Sequence, residues 1–88
     1  MWIGKDEAQE ELTRDLRSRA LLKTEYYRTR IKSFEAHYRT TFARFQKTSV
    51  KAREDFAAWD DLIEWESCQR AYREWRERHA QLRRWSAT

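Results

Sequence analysis

The sequence has no proline, one glycine (Gly4) and one cysteine (Cys68) in 88 residues. With no proline, and no glycine after position 4, strand hairpins and tight turns are poorly supported and helix is the default. A lone cysteine excludes an internal disulfide and fits a reducing cytoplasm. No apolar run approaches the ~20 residues that a bilayer-spanning helix needs. Met1-Trp-Ile-Gly is followed by charge, so it does not form a signal-peptide core. There is no glycine-rich phosphate loop. The two histidines, His37 and His79, stand alone and form no metal-ligand pattern. Together these absences favour a single small domain without a cofactor.

What is present is charge and aromatic surface. Charged residues make up 39% of the chain, as in long helices and coiled coils, while 15% aromatic content is high for a plain coiled coil and argues against disorder. The net charge of +4 conceals blocks. Residues 1–11 are acidic and residues 12–53 strongly basic. Residues 54–66 carry six carboxylates and no base, and residues 67–88 are basic again.

Residues 1–5 form a loose N-terminus. A first arm covers about residues 6–46, opened by Asp6, Glu7, Glu10 and Glu11 at the positive end of the helix dipole. Its apolar stripe is Leu12, Leu16, Ala20, Tyr27, Ile31, Phe34 and Tyr38, widened by Leu21, Leu22 and Tyr26. Arg39-Thr-Thr is a break point, because threonine suits an N-cap better than a helix interior; a kink near residues 39–41 would place Phe42 and Phe45 on a new turn. About residues 47–52 form the only credible reversal, where Thr48 or Ser49 can cap a second helix. The second arm runs over about residues 53–85. Its apolar side chains Phe56, Trp59, Ile63, Trp65, Cys68, Tyr72 and Trp75 recur in helical steps. Heptad placement puts Trp65, Tyr72 and His79 at one core position and Cys68, Trp75 and Leu82 at the other. The fold class is therefore all-α: a long antiparallel helical hairpin with arms of roughly 50 Å, at ~1.5 Å per residue. Such a hairpin covers only part of each stripe, so a second copy or another protein is expected to complete a bundle.

Folding at about residue 50 sets position i beside about 100 − i. The acidic block then lies beside residues 34–46, with Arg39 and Arg44 as its complement. At the open end both arms are basic, which points to an acidic partner. The carboxylates Glu54, Asp55, Asp60, Asp61, Glu64 and Glu66 have no histidine near them, so a solvated or docking face is the expected role. Cys68, within an apolar stripe, reads as a small core residue. No catalytic, cofactor or metal site emerges, and the chain reads as a non-enzyme. Interface hot spots favour Trp, Tyr and Arg, which marks Arg70, Tyr72, Arg73, Trp75, Arg76 and Trp85 as partner-binding residues, with Trp75 as the anchor. Trp59, opposite Phe42 and Phe45, is expected in the intramolecular core. Two rival classes remain: a basic helical nucleic-acid binder, and a self-assembling coiled-coil structural protein. There is no helix-turn-helix signature, and the acidic block interrupts the basic surface.

Three segments carry a resemblance: Glu25-Tyr-Tyr-Arg-Thr-Arg-Ile-Lys-Ser-Phe-Glu-Ala-His-Tyr, Phe42-Ala-Arg-Phe, and Glu54-Asp-Phe with Trp59-Asp-Asp-Leu-Ile-Glu-Trp-Glu. Over about residues 22–82 the chain resembles a family of small helical bacterial and archaeal proteins encoded beside a toxin-like gene and regarded as antitoxin components. Members of that family usually have Tyr-Gly and then a Ser/Thr-capped Phe-Glu-Glu-Phe. Here Arg39 replaces the glycine, and Thr41-Phe-Ala-Arg-Phe lacks the capping-box acid. The resemblance implies a cytoplasmic, non-catalytic protein that binds a cognate toxin-like protein and occludes its surface.

Overall fold

The structure, a computed structural model, describes residues 5–48 and 56–86. Of these only Arg39, Thr40 and Thr41 are not helical. Helix α1 is Lys5–Tyr38, α2 is Phe42–Thr48 and α3 is Phe56–Ser86. Helices α1 and α3 pack antiparallel along most of their length. Phe34 stacks on Trp65, the Tyr38 hydroxyl donates to Asp61, and Arg30 donates to Glu64. These pairs match the register expected for a chain folded back near residue 50. Of the expected reversal at about residues 47–52, positions 47 and 48 belong to α2 and the rest lies outside the described residues. The hairpin measures 65 × 21 × 17 Å with a radius of gyration of 18.5 Å. A compact chain of this length would have a radius near ~12 Å, so the molecule is a rod.

The seam has the alternating four- and three-residue steps of a coiled coil. On α1 it runs through Thr13, Arg17, Ala20, Thr24, Tyr27, Ile31, Phe34 and Tyr38, all buried or half-buried. On α3, Trp65, Cys68, Tyr72, Trp75, His79 and Leu82 take the heptad positions expected of them, with Ala58 extending the seam towards the turn. The seam differs from the expected apolar stripes in two places. Leu12 and Leu16 lie one position off the α1 seam and are exposed, while Thr13 and Arg17 occupy it. Phe56, Trp59 and Ile63 do not continue the face of Trp65. At 100° per residue, Trp59 is about 120° and Ile63 about 160° away from Trp65. Trp59 is accordingly 43% exposed and Phe56 80% exposed.

The place proposed for Trp59 belongs to Trp65, which is fully buried. Its ring lies among Phe34 at 5.4 Å, Phe45 at 5.3 Å, Phe42 at 5.7 Å and Tyr38 at 6.1 Å between centroids. Phe34, Phe45, Ala58, Trp65 and Cys68 form the buried core, and Tyr27, Ile31, Tyr38, Phe42 and Leu62 pack around it. One side chain of α3 thus joins α1 and α2.

The break that positions α2 is built as the threonines suggest. The Thr41 carbonyl accepts from the Phe45 amide at 2.9 Å, and its hydroxyl accepts from the Arg44 amide at 3.4 Å, so Thr41 is the N-cap of α2. Arg39 takes φ 53°, the left-handed conformation common just past a helix C-terminus. The Thr48 hydroxyl donates to the Arg44 and Phe45 carbonyls at 3.2 and 3.0 Å, within α2; the expected start of the second arm, with Ser49 as the other candidate cap, lies outside the described residues.

Two stability effects follow. Trp65→Ala should cost about 3–5 kcal/mol, as for a buried aromatic truncation, whereas exposed Trp59→Ala should cost under about 1 kcal/mol. Urea melts of both variants check this, and comparable losses would remove Trp65 from its central role. Arg39→Gly should stabilise the protein by about 0.5–1 kcal/mol. It relieves the ~1–2 kcal/mol left-handed penalty while adding the entropy loss of a glycine. The readout is a higher urea midpoint at unchanged slope.

Candidate protein-interaction surface

The seam is widest in chemistry at the turn end and narrowest at the open end. Towards the open end the α1 side of the seam holds Ala20 and Thr24, two small side chains, both buried, and beyond them half-buried Arg17 and Thr13. The Thr24 hydroxyl donates to the Ala20 carbonyl at 2.7 Å, which satisfies it within its own helix. In the observed register these residues fall beside Tyr72, Trp75 and His79 of α3. Small residues facing large ones close the seam itself but leave its flank hollow. A groove of about 410 Å³ opens there, lined by Arg19, Leu22, Lys23, Tyr26 and Trp75. Leu22 is 71% exposed and Tyr26 57%. Tyr26 meets Tyr27 edge-on at 5.0 Å, and Arg78 lies over the Trp75 ring at 4.7 Å. The groove is apolar in its lining and cationic at its rim.

The six residues singled out as partner-binding do not share one face. Tyr72 and Trp75 lie half-buried on the seam, while Arg70, Arg73, Arg76 and Trp85 are exposed. Arg70 pairs with Glu66 one turn away at 3.5 Å. The structure adds Arg19, Leu22, Lys23 and Tyr26 beside Trp75, contributions from α1 that the α3 pattern could not reveal. The available signal was the surplus of apolar residues on α1, where Leu21, Leu22 and Tyr26 exceed what one seam can bury.

A second exposed apolar strip lies at the other end of the rod. Phe56, Trp59 and Ile63, in steps of three and four, follow the solvent side of α3 with Asp60 among them. The neighbouring acids are engaged along the hairpin. Asp61 accepts from Tyr38, Glu64 from Arg30, and Glu66 from Arg70. The expected complement for this block was Arg39 and Arg44; Arg30 and Tyr38 supply it instead, because the helix break carries Arg39 away from the α1 seam. The hydrogen bond to Glu64, and then its charge, raise the Arg30 pKa. This solvated pair fixes register more than it stabilises. Glu54 and Asp55 lie outside the described residues.

Among the described residues, no three His, Cys, Asp or Glu side chains gather to hold a metal ion. Cys68 is buried in the core, and burial pushes its thiol above its ordinary pKa; Arg30 opposes this and Glu64 adds to it. Among the described residues no helix is long and apolar enough to cross a membrane. The chain matches no protein-family model, no curated protein and no solved structure.

The state of Cys68 is open to a direct check. The thiolate is the reactive species, and here it is both disfavoured and covered. Iodoacetamide should label the native protein at least about tenfold more slowly than the urea-unfolded chain, at a rate set by local opening. Equal rates would place the thiol outside the core.

Proposed function

We propose that this chain is a non-catalytic protein–protein interaction module acting in the cytoplasm. The observation that carries this reading is the mismatch between surface and core. The chain exposes 7616 Å², against roughly 5,600 Å² for a compact monomer of its mass. Large apolar side chains stand in that surface: Leu22, Tyr26, Phe56, Trp59, Ile63 and Trp85. Apolar surface of this extent, beside arginines, is the composition of a docking face.

The resemblance described above supports a cognate toxin-like protein as the partner and neutralisation by occlusion as the effect. The partner surface in this reading is the open end of α3. Arg70, Arg73, Arg76 and Trp85 present charge and an aromatic ring to solvent, and Tyr72 and Trp75 back them from the seam. Arginines at a rim act chiefly on the rate of encounter with an acidic partner.

The test is a titration against the product of a neighbouring toxin-like gene. Arg73→Glu with Arg76→Glu should slow association about tenfold or more while leaving the thermal melt nearly unchanged. Trp85→Ala should speed dissociation. Binding that survives both changes would move the surface elsewhere. Binding to nucleic acid that falls log-linearly with salt would favour phosphate recognition instead.

A further inference from the structure

Helix α1 carries a second apolar stripe that α3 does not cover. Leu22 and Tyr26 share the open-end groove with Trp75. Leu12 lies fourteen residues before Tyr26, and Leu16 seven before Lys23. These offsets are about 40° and 20° around the helix, so both leucines extend the groove side of α1 towards its open end. Both are exposed. The stripe spans residues 12–26, roughly 21 Å or about four turns. A line of exposed apolar side chains along a groove is the surface on which an amphipathic helix lays its apolar face.

Charge decides what kind of helix. Arg19 and Lys23 line the groove, and no carboxylate does. Arg19 is already paired with Asp15 at 3.1 Å. Among the described residues Lys23 has no ion-pair partner, and neither has Arg78, whose guanidinium lies over the Trp75 ring. Arg78 stands fourteen residues beyond Glu64, which Arg30 engages from α1, so it borders this same flank from α3. We infer that the groove and stripe take an acidic amphipathic helix of a partner protein. Its apolar side chains cover Leu12, Leu16, Leu22, Tyr26 and Trp75, and its carboxylates reach Lys23 and Arg78. The groove, at about 410 Å³, has room for its anchoring side chains. A second copy is the poorer occupant, because this face laid on its own counterpart sets cations against cations.

The docking rests on the reading that the chain works by protein–protein contact, but it uses a separate surface. Arg73 and Arg76 lie on the opposite side of Tyr72 from Arg78 around α3. The probe is a labelled model helix of about 18 residues, ~27 Å long, with leucines in three-four steps among glutamates. In a fluorescence anisotropy titration it should bind at least about tenfold more tightly than a peptide of the same composition in scrambled order. Lys23→Glu should weaken it about tenfold or more, and should favour a peptide with lysine in place of glutamate. Leu22→Gln changes no charge and should weaken both peptides several-fold. Both positions are exposed, so circular dichroism should show unchanged helix in each variant. Equal binding of ordered and scrambled peptides would overturn the docking, as would undiminished affinity in Lys23→Glu. Capture of phosphatidylglycerol vesicles in preference to the peptide would overturn it in favour of a membrane surface. A toxin-like partner that binds through Arg73 and Arg76, in a chain that ignores the peptide, would overturn the groove and leave the interaction reading standing. A groove that takes the peptide, in a chain that binds no toxin-like protein, would do the reverse.

Discussion

The stacking of Trp65 against rings from two other helices is the interaction on which the rest of the hairpin depends. An 88-residue rod cannot gather a central core, because its helices touch along one line and nowhere else. This chain concentrates its burial at one level instead. Phe34 and Tyr38 approach from α1, and Phe42 and Phe45 from α2. Such a cluster requires the first arm to bend. A straight continuation of α1 past Tyr38 would carry Phe42 and Phe45 along the rod rather than around the indole. The left-handed Arg39 and the Thr41 cap are the local means of that bend, and the aromatic cluster offsets their conformational cost.

Concentrating the core near the turn has a consequence at the other end. The open half of the seam is closed by small and polar residues of α1 against the larger side chains of α3. It holds the helices together without covering their flanks. Leu22, Tyr26 and Trp75 therefore meet in a groove beside Lys23 and Arg19, the latter paired with Asp15 at 3.1 Å. Nearer the turn, Asp61, Glu64 and Glu66 are engaged by Tyr38, Arg30 and Arg70.

The solvent side of α3 carries apolar and basic residues in one line. Arg70 lies seven residues beyond Ile63, and Arg73 fourteen beyond Trp59, so each follows the apolar strip along nearly the same face. Trp75, by contrast, turns towards α1 and the groove.

The sequence by itself determined that this protein is a helical hairpin. Lacking proline and internal glycine, the chain had no inexpensive way to form strands or tight turns, and the three-four recurrence from Trp65 to Leu82 fixed the face of α3 that packs. Thr41 was legible as a cap because a threonine hydroxyl at that position has an obvious amide to accept from. Tertiary structure decided which aromatics became core. Phe56, Trp59 and Ile63 are as apolar as Trp65, and only the angular position imposed by the seam turned them to solvent. The groove was likewise not legible in either arm, since a concavity between helices depends on which small residues of one lie beside which large residues of the other. That pairing is set by the register of the hairpin, and the register is set by how Trp65 packs.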